Sequence, residues 1–375
     1  MNRTVFVVVL IGAAALVTGW IYALNARLRE PEPIEIVSTK WASCPHAEVT
    51  SESFVHWNED DPPQVPVRCA KCHSGRGFLD YVGQDGSAAM AVDAPAQTES
   101  VVSCMVCHND AAHALEAAHF PSDAQLPVGR NTAVCATCHS GTRAGEAVEE
   151  ASEGFADDQV VPGAGFIGPH YAFAAATWLG SEAGGGYEYP GRPYAERFEH
   201  AEGARTCTQC HDPHSLRMRS DFDSGSDLCA ACHSNVTGRA DYRNVVEHRV
   251  DYDGDGSVEG VFHEILGLRE VLHRAIHAYS SQELGRPAAW TDRYPYFFVD
   301  GDGDGTISPE EASFPNRYRT FTPRLLRTAF NYQFSAKDGG AYVHNAAYVL
   351  QLLYDAVEDL SEVVDLPFPA LRRPR

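Results

Sequence analysis

The sequence predicts a mainly α fold with extensive loops and little β-structure, its apolar core filled in large part by something other than side chains. Three observations predict it. Five Cys-x-x-Cys-His segments crowd between residues 69 and 233. Between Trp41 and Ala240 that leaves about 40 residues per segment, too few to build a separate side-chain core around each. Beyond the last segment, residues 261–279 and 343–360 place apolar residues at helical spacing.

In chain order, residues Val5 to Leu24 form a nearly uncharged apolar run behind Arg3, long enough as a helix to cross a bilayer. Trp20 and Tyr22 sit where an interfacial belt would lie. Residues 1–29 are therefore expected to be a transmembrane anchor that holds the rest of the chain on the periplasmic side of an inner membrane. The rival is a cleaved signal peptide, whose cleavage box here would be poor because Leu24 takes the position three before the cut at Ala26. Charge does not orient the span, since Arg27 and Arg29 outnumber Arg3.

The five segments are Cys69-Ala-Lys-Cys72-His73, Cys104-Met-Val-Cys107-His108, Cys135-Ala-Thr-Cys138-His139, Cys207-Thr-Gln-Cys210-His211 and Cys229-Ala-Ala-Cys232-His233. They use ten of the eleven cysteines and leave Cys44. Two thiols three positions apart on one helical turn can each add to a haem vinyl group, and the imidazole that comes next falls beneath the iron as an axial ligand. Disulfides, zinc knuckles and thiol–disulfide pairs require no histidine after every pair. Five copies that all end in His therefore read as five covalently bound haem c groups. Haem of this type is attached after export, which places residues from about 30 onward outside the cytoplasm. The motif starts are 35, 31, 72 and 22 residues apart, so this is no solenoid repeat. In the long gap, residues 140–206, one helix is expected around Tyr171 to Leu179.

The net charge of −22 argues against nucleic acid, whose phosphates need basic patches. It suits redox partner proteins with basic docking surfaces, or divalent cations.

Twelve histidines lie outside the motifs. The stretches Phe54-Val55-His56-Trp57, Gly168-Pro169-His170-Tyr171, Phe198-Glu199-His200, Cys210-His211-Asp212-Pro213-His214 and Tyr342-Val343-His344-Asn345 resemble segments of exported or membrane-associated multihaem c-type cytochromes with paired CxxCH motifs. The resemblance spans about residues 50–355. It implies electron transport, with distal iron ligands at His56, His170, His200, His214 and His344, one for each haem. His113 and His119, after the second motif, are the alternatives. His46 beside Cys44 is a further candidate, though Cys44-Pro45-His46 has the wrong spacing for normal attachment.

After His233 the character changes. Asp300-Gly301-Asp302-Gly303-Asp304-Gly305, with Thr306 and Glu311, matches a calcium loop: alternate carboxylates, a turn glycine, the Thr306 carbonyl and a closing bidentate glutamate. Pro315 should shorten any helix leaving it. A second loop, Asp251, Asp253, Asp255 and Gly256, has Phe262 where the closing glutamate belongs, with Glu264 two residues later as the substitute. His273 and His277, four apart on one helix, could share a metal, but such pairs are more often polar surface.

The expected organisation is an anchor over residues 1–29, a pentahaem region over 30–240, and a helical region over 241–375 packed on the haems. Two other functions compete with electron relay. One is a reductase of nitrite, hydroxylamine or a sulfur oxyanion with one open haem. Similar pentahaem nitrite reductases carry a CxxCK motif, and none occurs here. The other is a haem subunit of a larger respiratory complex.

Overall fold

The computed structural model describes residues 33–200, 205–219, 232–233, 236, 239–246 and 249–375. The expected anchor and Cys229 lie outside the described residues. Within them the chain is mostly helical, its only named strands forming three two-stranded antiparallel ladders. No helix among the described residues is long and apolar enough to cross a membrane.

The chain divides into two compact units. In the smaller one, Ile34–Ala42 form a helix that buries none of its side chains, succeeded by the short 3₁₀ turn Pro45–Ala47. Pro213–Leu216, including His214, belong to this unit.

The larger unit holds everything else that is described, and its main side-chain core is centred on the C-terminal third and takes in Phe120, Val148, Phe173 and Leu179 from the preceding segment. Three helices build it: Val261–Gln282, Pro323–Lys337 and Ala346–Ser361. Leu268, Leu272 and Ile276 from the first, Leu325, Ala329 and Phe330 from the second, and Val349, Leu353, Val357 and Leu360 from the third are fully buried in one cluster. Burial of each such Leu, Ile, Val or Phe contributes about 1.5–3 kcal/mol. The ends are fixed by side chains. Thr322 caps the second helix through the Leu325 N–H at 3.1 Å, with Pro323 in the first turn. Asn345 caps the third through the Tyr348 N–H at 3.1 Å. The strand pair Ala288–Trp290 and Phe297–Val299 packs beside the first helix.

The second helix reads as polar in the sequence, because Arg324, Asn331 and Gln333 stand among its apolar residues. Each is buried and hydrogen-bonded. Arg324 pairs with Asp359 and with Asp158, the latter at 2.8 Å. Asn331 bonds both the N–H and the carbonyl of Tyr187, at 2.8 and 2.9 Å. Gln333 accepts from the Trp290 indole at 2.7 Å. The third helix buries Asp355 completely, held by Arg192 at 2.7 Å, Arg373 at 2.8 Å and the Tyr194 hydroxyl at 2.6 Å.

The first two motifs lie among small clusters, Phe78, Val82, Val106 and Ala112 in one and Val65, Ala70 and Ala96 in another, while Ala133 and Ala136 of the third motif's helix join the main core. Its helices are short, among them Val67–His73, Gly75–Tyr81, Cys104–Cys107, Arg130–Ala136 and Cys207–Cys210. The helix expected around Tyr171 forms at Ala174–Leu179. Gly77 lets two of these helices cross closely, since a Cβ there would lie 2.3 Å from the Ala70 carbonyl oxygen.

Candidate functional site

The first motif ends the helix Val67–His73. Its His73 donates Nδ1–H to the Ser53 carbonyl at 2.8 Å, which fixes the tautomer and leaves Nε2 free to bind. The ring faces that of His170, with centroids 6.0 Å apart. His170 holds a left-handed backbone, φ 72°, an uncommon and costly conformation for a residue with a Cβ. Burial, then the charge of His73, lowers its pKa and favours the neutral imidazole that a metal needs.

In the second motif, Asn109 ties the helical turn Cys104–Cys107 to the next helix, Asp110–His113. Its amide donates to the Met105 carbonyl at 2.7 Å, and its oxygen caps that next helix through the Ala112 N–H at 2.8 Å. This brings the His113 ring to 6.2 Å from that of His108. The third motif leaves the helix Arg130–Ala136, and the His139 carbonyl accepts from the Ala175 N–H at 3.0 Å.

The fourth motif is the turn Cys207–Cys210, opened by Gln209, whose side-chain oxygen accepts from the N–H groups of Arg205 and Thr206 at 2.7 and 2.8 Å. His211 lies 6.5 Å, ring to ring, from His344. His344 in turn donates Nδ1–H to the buried Asp338 carboxylate at 2.8 Å. In the fifth motif, His233 lies 6.0 Å from His200. Phe198 fixes the approach of His200 by exchanging bonds with Trp178: its N–H to the Trp178 carbonyl at 3.0 Å, its carbonyl from the Trp178 indole at 2.7 Å.

The four separations have a common meaning. An imidazole nitrogen stands about 2.0 Å from a transition metal it binds. With roughly 1.1 Å from that nitrogen to its own ring centre, two imidazoles trans across one metal have centroids roughly 6.2 Å apart. The 6.0–6.5 Å pairs therefore fit one iron each.

Other candidate residues take different places. The His56 side chain is over half exposed, bonds Glu52 through Nδ1 at 2.7 Å and stands edge-on to Trp57 at 4.8 Å. His214 lies in the smaller unit. His113 has only a weak signal in the sequence, its distance from the second motif, since one turn of helix carries it. Of the thiols, Cys138 donates to the Lys71 carbonyl at 3.5 Å and Cys135 to the Asn131 carbonyl at 3.6 Å. The neighbouring thiols Cys138 and Cys135 hold Cys72 and Cys207 below the usual thiol range, while those neighbours and burial push Cys138 and Cys135 up.

The acidic loops fold alike. Carboxylate oxygens of Asp300, Asp302 and Asp304 lie within 4.8 Å of one another, as do those of Asp251, Asp253 and Glu264. Asp300 accepts from the N–H of Gly303 and Gly305, both at 2.8 Å, and Asp251 from Gly254 and Gly256 at 2.6 and 3.0 Å. Glu311 accepts from the Gly301 N–H at 2.6 Å, and Glu264 from the corresponding Tyr252 N–H at 2.8 Å. Glu264 thus closes its longer loop from the same side. Gly267 makes room for it, because a Cβ there would meet the Asp253 carboxylate at 1.6 Å. Thr306 donates to Asp304 at 2.7 Å through its hydroxyl, and Asp255 accepts from the Ser257 N–H at 2.6 Å. His277 binds Asp300 at 2.8 Å and His273 accepts from the Trp290 N–H at 3.2 Å, so each histidine of that pair serves its own neighbour.

The doubled CXXCH motif family matches residues 200–238. The chain is 26% identical over 255 residues to the C-type polyheme cytochrome OmcB of Geobacter sulfurreducens, in each of two strains, covering 60% of this chain and 30% of that protein. It is 21% identical over 374 residues to the C-type polyheme cytochrome OmcC of the same organism, covering 83% of this chain and 45% of that protein. The chain thus spans less than half the length of the curated relatives it matches. No solved structure matches it.

Proposed function

We propose that this chain, a multihaem c-type cytochrome with paired CxxCH motifs, relays electrons through five haems whose irons each carry two histidines. The observation that carries the reading is the set of four histidine pairs at 6.0–6.5 Å, each joining a motif histidine to a second one. Cysteines 69 and 72, 104 and 107, 135 and 138, 207 and 210, and 229 and 232 hold the five groups, with His73, His108, His139, His211 and His233 beneath the irons. His170, His113, His344 and His200 are the distal ligands of the first, second, fourth and fifth. His214 keeps the ligand role that the resemblance implies. The second iron thereby goes to His113, and none goes to His56.

Haem iron supplies the one-electron chemistry, and two imidazoles leave no position for a substrate, which suits transfer rather than catalysis. The protein sets the potentials. The Ser53 carbonyl and the Asp338 carboxylate orient His73 and His344 and make both better donors.

The chain works outside the cytoplasm, where this mode of attachment occurs, and residues 1–29 tether it or direct its export. Its acidic surface favours transient, salt-sensitive docking of basic redox proteins. Both acidic loops bind calcium, Asp300, Asp302, Asp304, Thr306 and Glu311 holding one ion and Asp251, Asp253, Asp255 and Glu264 the other, and they fasten loops at the edge of the C-terminal core. Intact-mass measurement tests the reading first: five haem additions are expected, and fewer would overturn the count.

A further inference from the structure

We infer that the third motif is the spatial centre of the haem set, with the segment that carries it packed against the first, second and fourth motifs. This arrangement rests on the haem-binding reading. Spacing alone would pair neighbours along the chain, the fourth with the fifth most closely, since they are 22 residues apart. The fold joins motifs far apart in sequence.

On one side, Cys138 donates its thiol to the carbonyl of Lys71 at 3.5 Å, within the first motif and beside Cys72. On the other, the Cys207 N–H donates to the Thr132 hydroxyl at 3.4 Å, on the helix that carries Cys135. The second motif joins through apolar packing. Val106 lies between its cysteines and belongs to the same small cluster as Phe78, with Val134 and Cys138 of the third motif packed against it. The exit of the third motif also holds the loop that carries His170: the Thr142 N–H bonds the Pro169 carbonyl at 3.1 Å. Residues around Cys135–His139 therefore touch the first, second and fourth motifs at once.

Attachment cysteines join the rims of their haems, so motifs in contact place their haem rims side by side. The third motif has such a contact toward the first through Cys138 and toward the fourth through the helix of Cys135.

The test uses the purified full chain loaded with haem. In a Cys135→Ala, Cys138→Ala double variant, the haem count should fall from five to four. Electron paramagnetic resonance of the oxidised protein should then show loss of one ferric signal and narrowing of at least two others, because a neighbouring spin has gone. Loss of one signal with the remaining four unchanged would overturn the inference. A haem count unaffected by the substitution would instead overturn haem attachment at this motif, a separate failure. His139→Met, taken forward with a measured count of five haems, guards against misfolding of the first variant, since methionine in place of an axial histidine raises that haem's potential. That iron then becomes reduced, and diamagnetic, first in a titration. The first step should narrow the same two signals, and neighbours unchanged through that step would contradict the proposal.

Discussion

His344 stands 6.5 Å, ring to ring, from His211, and its Nδ1 is held by Asp338 at 2.8 Å. A short C-terminal helix, Ala341–His344, thus returns a histidine to the fourth motif. Removing that imidazole should open one iron and no other. His344→Ala is expected to keep five haems while converting about one fifth of the ferric iron from low spin to high spin, with new binding of cyanide. A spectrum with every iron still low-spin would count against this pairing.

Asp338 is the positioning residue for that imidazole. Asp338→Asn keeps the size and a hydrogen-bonding group but removes the charge that strengthens the imidazole as a donor. The midpoint of one haem should move positive by on the order of tens of millivolts, with the haem count unchanged. Potentiometric titration followed in the visible spectrum reads this, and unaltered midpoints would show Asp338 to be structural only.

His113 and His56 make a discriminating pair. His113 lies 6.2 Å from His108, whereas the ring of His56 packs on Trp57 and bonds Glu52. His113→Ala should produce a high-spin signal, and His56→Ala should not. The reverse outcome would restore His56 as the ligand.

Asp355 holds the C-terminal core to the preceding loop through Arg192, Arg373 and Tyr194. Asp355→Ala leaves Arg373 without its carboxylate, while Arg192 keeps Glu358, a change that costs about 3 kcal/mol, the lower end of the range for a fully buried pair. The thermal midpoint should fall by several degrees with haem spectra unchanged at low temperature.

The proposed calcium sites would act through stability. Saturation at 100 times the dissociation constant would add about 2.7 kcal/mol per site. Chelation should therefore lower the thermal midpoint, with Glu311→Gln and Glu264→Gln each removing part of the effect. No response to chelator would contradict both sites.

The Cys-x-x-Cys-His motifs and the acidic loops impose fixed spacings on few residue types, and such local patterns are the features legible in the sequence. The five motifs, the DGDGDG loop and the long helix at Val261–Gln282 are local patterns. Glu264 can be named because a loop two residues longer still brings a carboxylate back to the same side. His170, His200 and His344 are marked by their flanking residues, and all three rings face motif histidines. The hidden features depend on tertiary pairing. The helix Pro323–Lys337 reads as too polar until Arg324 meets Asp359 and Asn331 meets the Tyr187 backbone. His113 is placed by the cap of Asn109, a four-residue device with no periodicity to detect. Contacts between motifs, such as Cys138 with Lys71, leave no trace in spacing at all.

The relay depends on every haem iron being closed by two histidines, and one spectrum tests that dependence. Electron paramagnetic resonance of the fully oxidised, purified protein, taken with a haem count, should show five haems per chain and only low-spin ferric signals. Nitrite, hydroxylamine and cyanide should leave them unchanged. A high-spin signal amounting to one iron, shifted by any of these ligands, would contradict the relay and point to a haem that reacts with substrate.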